Sequence, residues 1–198
     1  MIFDIALIFL AGAAFLLAAY GVLRHLGRFS NRSAEDVVPY LRPVDLQELE
    51  MLLDPALEVS FRMKLSSQEF RQVQRKRARL MQEYLLRMSH NAMVLIEWAN
   101  QEWSPDRPAI PGSRQELAQA LVQAATEFRL YSLLARAKLS LWLVRLELWP
   151  LFGSPSLYRL RNVFGIDALG AYHRLKGAAC DLSVGHGLEY QTEVTGKF

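Results

Sequence analysis

Apolar residues recur at spacings of three and four along two long stretches of the chain, each free of Gly and Pro. The first covers 67–103. Phe70, Val73, Leu80, Met81, Tyr84, Leu85, Met88, Ala92, Leu95, Ile96 and Ala99 share one face, and Arg71, Arg75, Lys76 and Arg79 lie opposite. The second covers 114–149, with Leu117, Leu121, Ala124, Phe128, Tyr131, Ala135, Lys138, Trp142, Arg145 and Trp149 at alternating intervals of four and three. Both periods are helical. Ser66 with Glu69 and Ser113 with Glu116 open the two stretches with capping-box patterns, and SPDRPAIPG at 104–112 separates them. Two helices of matched length around a short breaker predict an antiparallel helical hairpin. Arg77 interrupts the apolar face of the first and needs a partner or a route to water. Lys138 and Arg145 fall in the expected seam of the second.

The second helix has more apolar surface than one seam requires. On a helical wheel Phe128, Tyr131, Ala135, Leu139, Trp142, Leu146 and Trp149 form one face. Leu130, Leu134, Ala137, Leu141, Val144 and Leu148 form another, with Leu133 beside them. Arg129, Arg136 and Glu147 occupy one edge between the faces, and Lys138 and Arg145 the other. A bilayer crossing is disfavoured, because a central Arg or Lys costs ~2.5–3.5 kcal/mol and each Leu returns only ~0.5 kcal/mol. The second face therefore calls for its own cover. The segment after Pro150 is the expected one, and another subunit or a membrane surface are the alternatives.

The N-terminus follows a different pattern. Residues 5–23, IALIFLAGAAFLLAAYGVL, contain no charge. At ~1.5 Å per residue they reach roughly the ~30 Å hydrocarbon core of a bilayer. A cleaved signal peptide fits poorly, because the preceding MIFD carries Asp4 and no Lys or Arg. Arg24, Arg28 and Arg32 follow the run, so its C-terminal side is expected to be cytoplasmic, with the N-terminus outside. Ala11, Ala14, Ala18 and Gly21 make a stripe of small residues on which two such spans could pack.

The intervening segments complete a domain plan: 1–29 a transmembrane anchor, 30–44 a linker, 45–182 a helical domain and 183–198 a loosely packed or extended tail. Asp45 with Glu48 and Asp54 before Pro55 predict short helices at 46–53 and 55–64. Ser154-Pro155 predicts another to about 163, and Asp167 one over 168–181.

Composition changes this picture little. Of 198 residues 52% are apolar, somewhat above the usual share, and much of the excess lies in the first 23. Basic residues number 23 and acidic 20, a net charge of +3 that points to no nucleic-acid partner. One cysteine, Cys180, excludes an intrachain disulfide. Between Arg62 and Arg79 seven basic residues face one acid, Glu69, whereas 45–58 holds five acids and no base. Either the acidic segment folds against the basic helix, or Arg71, Arg75, Lys76 and Arg79 meet anionic lipid headgroups. His173, Cys180 and His186 match no zinc spacing, and there is no nucleophile elbow, phosphate loop or dinucleotide motif.

Catalytic, cofactor and metal residues are accordingly assigned to none. The expectation is an all-α protein: one N-terminal transmembrane helix plus a cytoplasmic helical bundle built on the hairpin, single-pass in the plasma (inner) membrane. Its expected role is a non-enzymatic scaffold or adaptor acting through a protein partner or self-association. A lipid-surface protein is the alternative, and an enzyme with an unrecognised site a third.

Overall fold

Four of the helix starts are fixed by a side chain. Asp45 accepts from the Glu48 amide at 3.0 Å and opens α1 (Leu46–Leu52). Asp54 accepts from the Ala56 amide at 2.8 Å and opens α2 (Pro55–Lys64), whose first residue needs no amide partner. At α3 (Ser67–Glu102) the Ser66 amide donates to Glu69 at 3.0 Å and Glu69 returns its own amide to Ser66 Oγ at 3.4 Å. α4 follows over Gly112–Glu147. Asp167 accepts from the Gly170 amide at 2.8 Å and opens α5 (Ala168–Val184). Gly187, at φ 105°, takes a turn that a side chain would strain and leads into α6 (Leu188–Thr195). This computed structural model describes residues 37–102, 112–147 and 167–198. Among them there are six α-helices, one 3-10 turn (Val38–Tyr40) and no strand.

The all-α class and the helical hairpin are as the sequence reads. Arg75 pairs with Glu147 at 2.7 Å, Gln82 donates to Ser140 at 3.3 Å, Ser132 donates to the Leu85 carbonyl at 3.2 Å, and Arg114 pairs with Glu102 at 3.2 Å. The partner numbers run in opposite directions, which makes α3 and α4 antiparallel along their whole length. α5 lies antiparallel to α4, with Tyr172 5.1 Å from Phe128 and Arg174 2.7 Å from Glu127. α6 folds back on α5, bringing Thr195 to Cys180 at 3.4 Å.

Three expectations need correction. The α4 seam consists of Ala118, Leu121, Ala125, Phe128, Ser132, Leu139, Trp142 and Leu146, all buried. It is displaced by one position from Leu117, Ala124, Tyr131, Lys138 and Arg145. The displacement takes two cations out of the core, where each would carry a desolvation cost. Trp142 is buried in this seam, in line with core packing. Residues 37–44 are not loose linker: Val37, Val38, Leu41 and Val44 are buried. Nor is the tail extended, since α6 forms within it, Val194 and Phe198 are buried, and Phe198 lies 5.5 Å from Tyr172. The Val44 amide donates to the Lys197 carbonyl at 3.2 Å, joining the two. The remaining boundary changes are one to three residues, the largest being the extension of α5 from 181 to Val184.

Asn91 organises this junction. Fully buried on α3, it donates from Nδ2 to the Arg42 carbonyl at 2.8 Å and to the Tyr172 hydroxyl at 3.2 Å, and accepts from the Arg42 amide at 2.8 Å. Arg77 finds its partner one layer away. It donates to the Leu52 carbonyl at 2.6 Å and stacks on Phe61 at 5.7 Å, while Glu58 and Asp54 oppose the depression of its pKa by burial.

Tyr84 donates to the Glu48 carboxylate and ties α1 to α3. Burial, then this bond, pushes its phenol up to about 12. The folded value exceeds the unfolded ~10, so this contribution to stability is complete below that pH and fades as pH rises through about 12. Wild type should therefore lose more stability than Tyr84→Phe across this window. Urea midpoints measured against pH check this, and parallel profiles for the two proteins would contradict it.

Among the described residues no helix is long and apolar enough to cross a membrane. The 5–23 run, including Ala11, Ala14, Ala18 and Gly21, lies outside the described residues, as do Leu148, Trp103, Trp149 and the helix expected at 155–163.

Candidate docking surface

The seam and α5 together account for two sides of α4 and leave a third open. Leu130 is 49% exposed, Leu134 37%, Leu141 72% and Val144 58%, and Ala137 is exposed with them. These are the residues of the expected second apolar face. Of the C-terminal segment expected to cover it, 151–166 lies outside the described residues; α5 packs on α4 through Tyr172 and Arg174, on the Phe128 and Glu127 side, and its first turn lines only the recess beside this face. The stripe is confined to the second half of α4, because the same surface of the first half carries Glu116, Gln119 and Gln123. From Leu130 to Val144 it runs about 21 Å at 1.5 Å per residue.

Leu134, Ala137 and Leu141 also form the lip of a cavity of about 460 Å³, within the range of small-ligand and peptide-anchor pockets. Its walls come from Met81, Leu85 and Met88 on α3, Leu139 on α4, Leu49 and Leu53 beside α1, and Leu169 on α5. Glu50, Lys138, Asp167 and His173 supply the polar groups. Burial holds the Lys138 amine below the ordinary lysine range. Asp167 caps α5, and a Cβ at Gly170 would lie 2.2 Å from Asp167 Oδ2, so a side chain there would push the capping carboxylate aside. The result is an apolar recess with a straight apolar ridge beside it and a few polar groups at the rim.

The basic set is divided by the fold. Arg75 is held by both oxygens of Glu147, at 2.7 and 2.9 Å. Lys76 and Arg79 are exposed and Arg71 is half-buried. No carboxylate is within ion-pair distance of these three among the described residues. The acidic segment folds onto α3 through Arg77 and Tyr84, not through this set.

A second polar cluster was not anticipated from the sequence. The Glu102 carboxylate is buried between Arg114 at 3.2 Å and His186 at 3.6 Å. The rings of Trp98 and Tyr190 stand 5.7 and 5.3 Å from the imidazole. These residues come from α3, α4, the α5–α6 turn and α6, and their separation in sequence leaves no local signal. The cluster staples one end of the hairpin to the C-terminal helices. Cys180 is half-buried against Thr195, and the His90 imidazole lies 3.1 Å from the Tyr40 carbonyl. Among the described residues no three His, Cys, Asp or Glu side chains are grouped as metal ligands would be.

Comparison of the chain with protein-family models, curated proteins and solved structures finds no match.

Proposed function

We propose that the chain is a membrane-anchored adaptor without catalytic activity, and that the ridge and recess of α4 are where its protein partner docks. The observation that carries this reading is the exposure of Leu130, Leu134, Ala137, Leu141 and Val144 on a helix whose other face is fully packed. Contiguous apolar surface left open on a packed bundle marks an interaction site. A straight ridge at helical spacing beside a recess is complementary to an amphipathic partner helix with an apolar anchor. Lys138 and Arg145 border one edge of the ridge, so acidic residues on the corresponding flank of the partner would fit.

The anchor is supported by the uncharged run 5–23, and its orientation by Arg24, Arg28 and Arg32, which would place the bundle on the cytoplasmic side of the plasma (inner) membrane. Packing of two spans through Ala11, Ala14, Ala18 and Gly21 would make the adaptor dimeric in the membrane.

Leu134→Asp/Leu141→Asp tests the docking reading. Leu141 is 72% and Leu134 37% exposed, so the folded bundle should lose no more than about 2 kcal/mol and keep its helical circular dichroism. The variant should nevertheless lose the proteins that co-purify with the wild-type chain from its own membrane. Undiminished recovery of the same proteins would rule out the ridge as their site.

A further inference from the structure

α2 is turned inside out. Its acidic residue, Glu58, is buried, facing Arg77 and lying 3.7 Å from Arg62. Phe61 accompanies it inward, under the Arg77 guanidinium. The opposite arc carries Pro55, Ala56, Val59 and Met63, all exposed, with Val59 at 50% and Met63 at 79%. At 100° per residue these four fall within one quadrant or slightly more, with Arg62 at one border and Lys64 beyond the other. An isolated solvated helix would present the reverse arrangement, apolar inward and charged outward.

The charges around this arc are sorted in the same sense. Asp54 is turned into the α2 cap, Glu58 into the interior, and Glu69 into the α3 capping box, where its bonds to Ser66 hold its carboxyl below the usual range. Arg62 and Lys64 are exposed, and Lys76 and Arg79 are exposed on the following helix. The local acids are thus taken up in caps and beside Arg62 and Arg77, with Arg62 laid over the Phe70 ring, while Lys64, Lys76 and Arg79 are left exposed. The complement of such a surface is an apolar layer edged by anions.

We propose that α2 is an interfacial helix: Ala56, Val59 and Met63 enter the headgroup and acyl boundary of an anionic bilayer, and Lys64, Lys76 and Arg79 meet its phosphates. A bilayer fits better than a protein groove because the arc is a convex face of four residues on a ten-residue helix, lying outside the α4 recess, and because long cationic side chains border it, as they do on helices lying in the membrane plane. The proposal is independent of the α4 ridge.

The test uses the full chain carrying Met63→Cys in a Cys180→Ser background, labelled with an environment-sensitive fluorophore. It is reconstituted with vesicles of phosphatidylcholine, with or without phosphatidylglycerol. Emission from position 63 should shift to the blue, and bromolipid should quench it, only when phosphatidylglycerol is present. High salt should reduce both effects. Lys64→Glu/Lys76→Glu should abolish them while circular dichroism stays unchanged. A label at Leu141→Cys should remain aqueous throughout. A label at position 63 that stays aqueous with both vesicle types overturns the proposal. Shielding in native membranes but not in protein-free vesicles also overturns it, assigning the arc to a protein instead. Flotation separates this outcome from the anchor reading. A chain that floats with neutral vesicles while position 63 stays aqueous keeps the anchor and loses the interfacial helix. A chain that floats only with anionic vesicles and buries position 63 does the opposite.

Discussion

Asn91→Leu is expected to destabilise the bundle by about 3 kcal/mol, although the two side chains have similar volume. The loss comes from what the substitution leaves behind. The Arg42 amide and carbonyl and the Tyr172 hydroxyl all have Asn91 as a partner. The Arg42 groups lie near the surface and can recover water in part. The Tyr172 hydroxyl belongs to a side chain with no exposure, where burial already pushes its pKa up, so its unmet bond retains its full desolvation cost. Tyr172→Phe removes one of the same bonds without stranding the others, and should cost about 1 kcal/mol. Urea unfolding of the three proteins checks the order. A smaller loss for Asn91→Leu than for Tyr172→Phe would show that residues 37–44 are not held by this side chain.

Phe128→Ala should cost more, about 3–5 kcal/mol, because it opens a cavity where α4 meets α5. Phe128 has no exposed surface and packs 5.1 Å from Tyr172, which in turn lies 5.5 Å from Phe198. Its removal loosens the third helix and the tail together. Leu141→Ala, three and a half turns further along α4, is the natural contrast: at 72% exposure it should change stability by less than about 0.5 kcal/mol. Chemical denaturation of both variants tests the assignment of the two faces. Equal losses would mean that the ridge is covered in the folded protein.

The long helices were legible because nothing in 67–102 or 114–147 breaks a helix, and the Ser66–Glu69 capping box marks where the first begins, whereas the second starts at Gly112, one residue before the Ser113 expected to cap it. The α4 seam was misplaced by one residue for a definable reason. Ala118, Ala125 and Ser132 carry little apolar weight in a pattern, whereas Leu117 and Tyr131 carry much. Removing Lys138 and Arg145 from the core outweighed that difference. α6 was missed because LEYQTEVT is mostly polar, and its burial depends on Val194 and on Phe198 reaching Tyr172 across the fold. The linker reading of 37–44 failed similarly, because the partner that fixes it, Asn91, is 49 residues away. The ridge on α4 is the part of the candidate site most directly visible in the sequence. Leu130, Leu134, Ala137, Leu141 and Val144 share an apolar face that can be seen without knowledge of any neighbour. The inversion of α2 was not legible, since only the position of Arg77 decides that Glu58 points inward.

The α4 ridge is tested most directly by photo-crosslinking in the chain's own membrane. A benzophenone side chain is placed at Leu134, Leu141 or Val144, with Gln72 on the exposed face of α3 as the comparison. Discrete adducts with the same protein from the three ridge positions, and none from Gln72, are expected. No adduct from the ridge, or the same adducts from Gln72, would contradict its role as the docking surface.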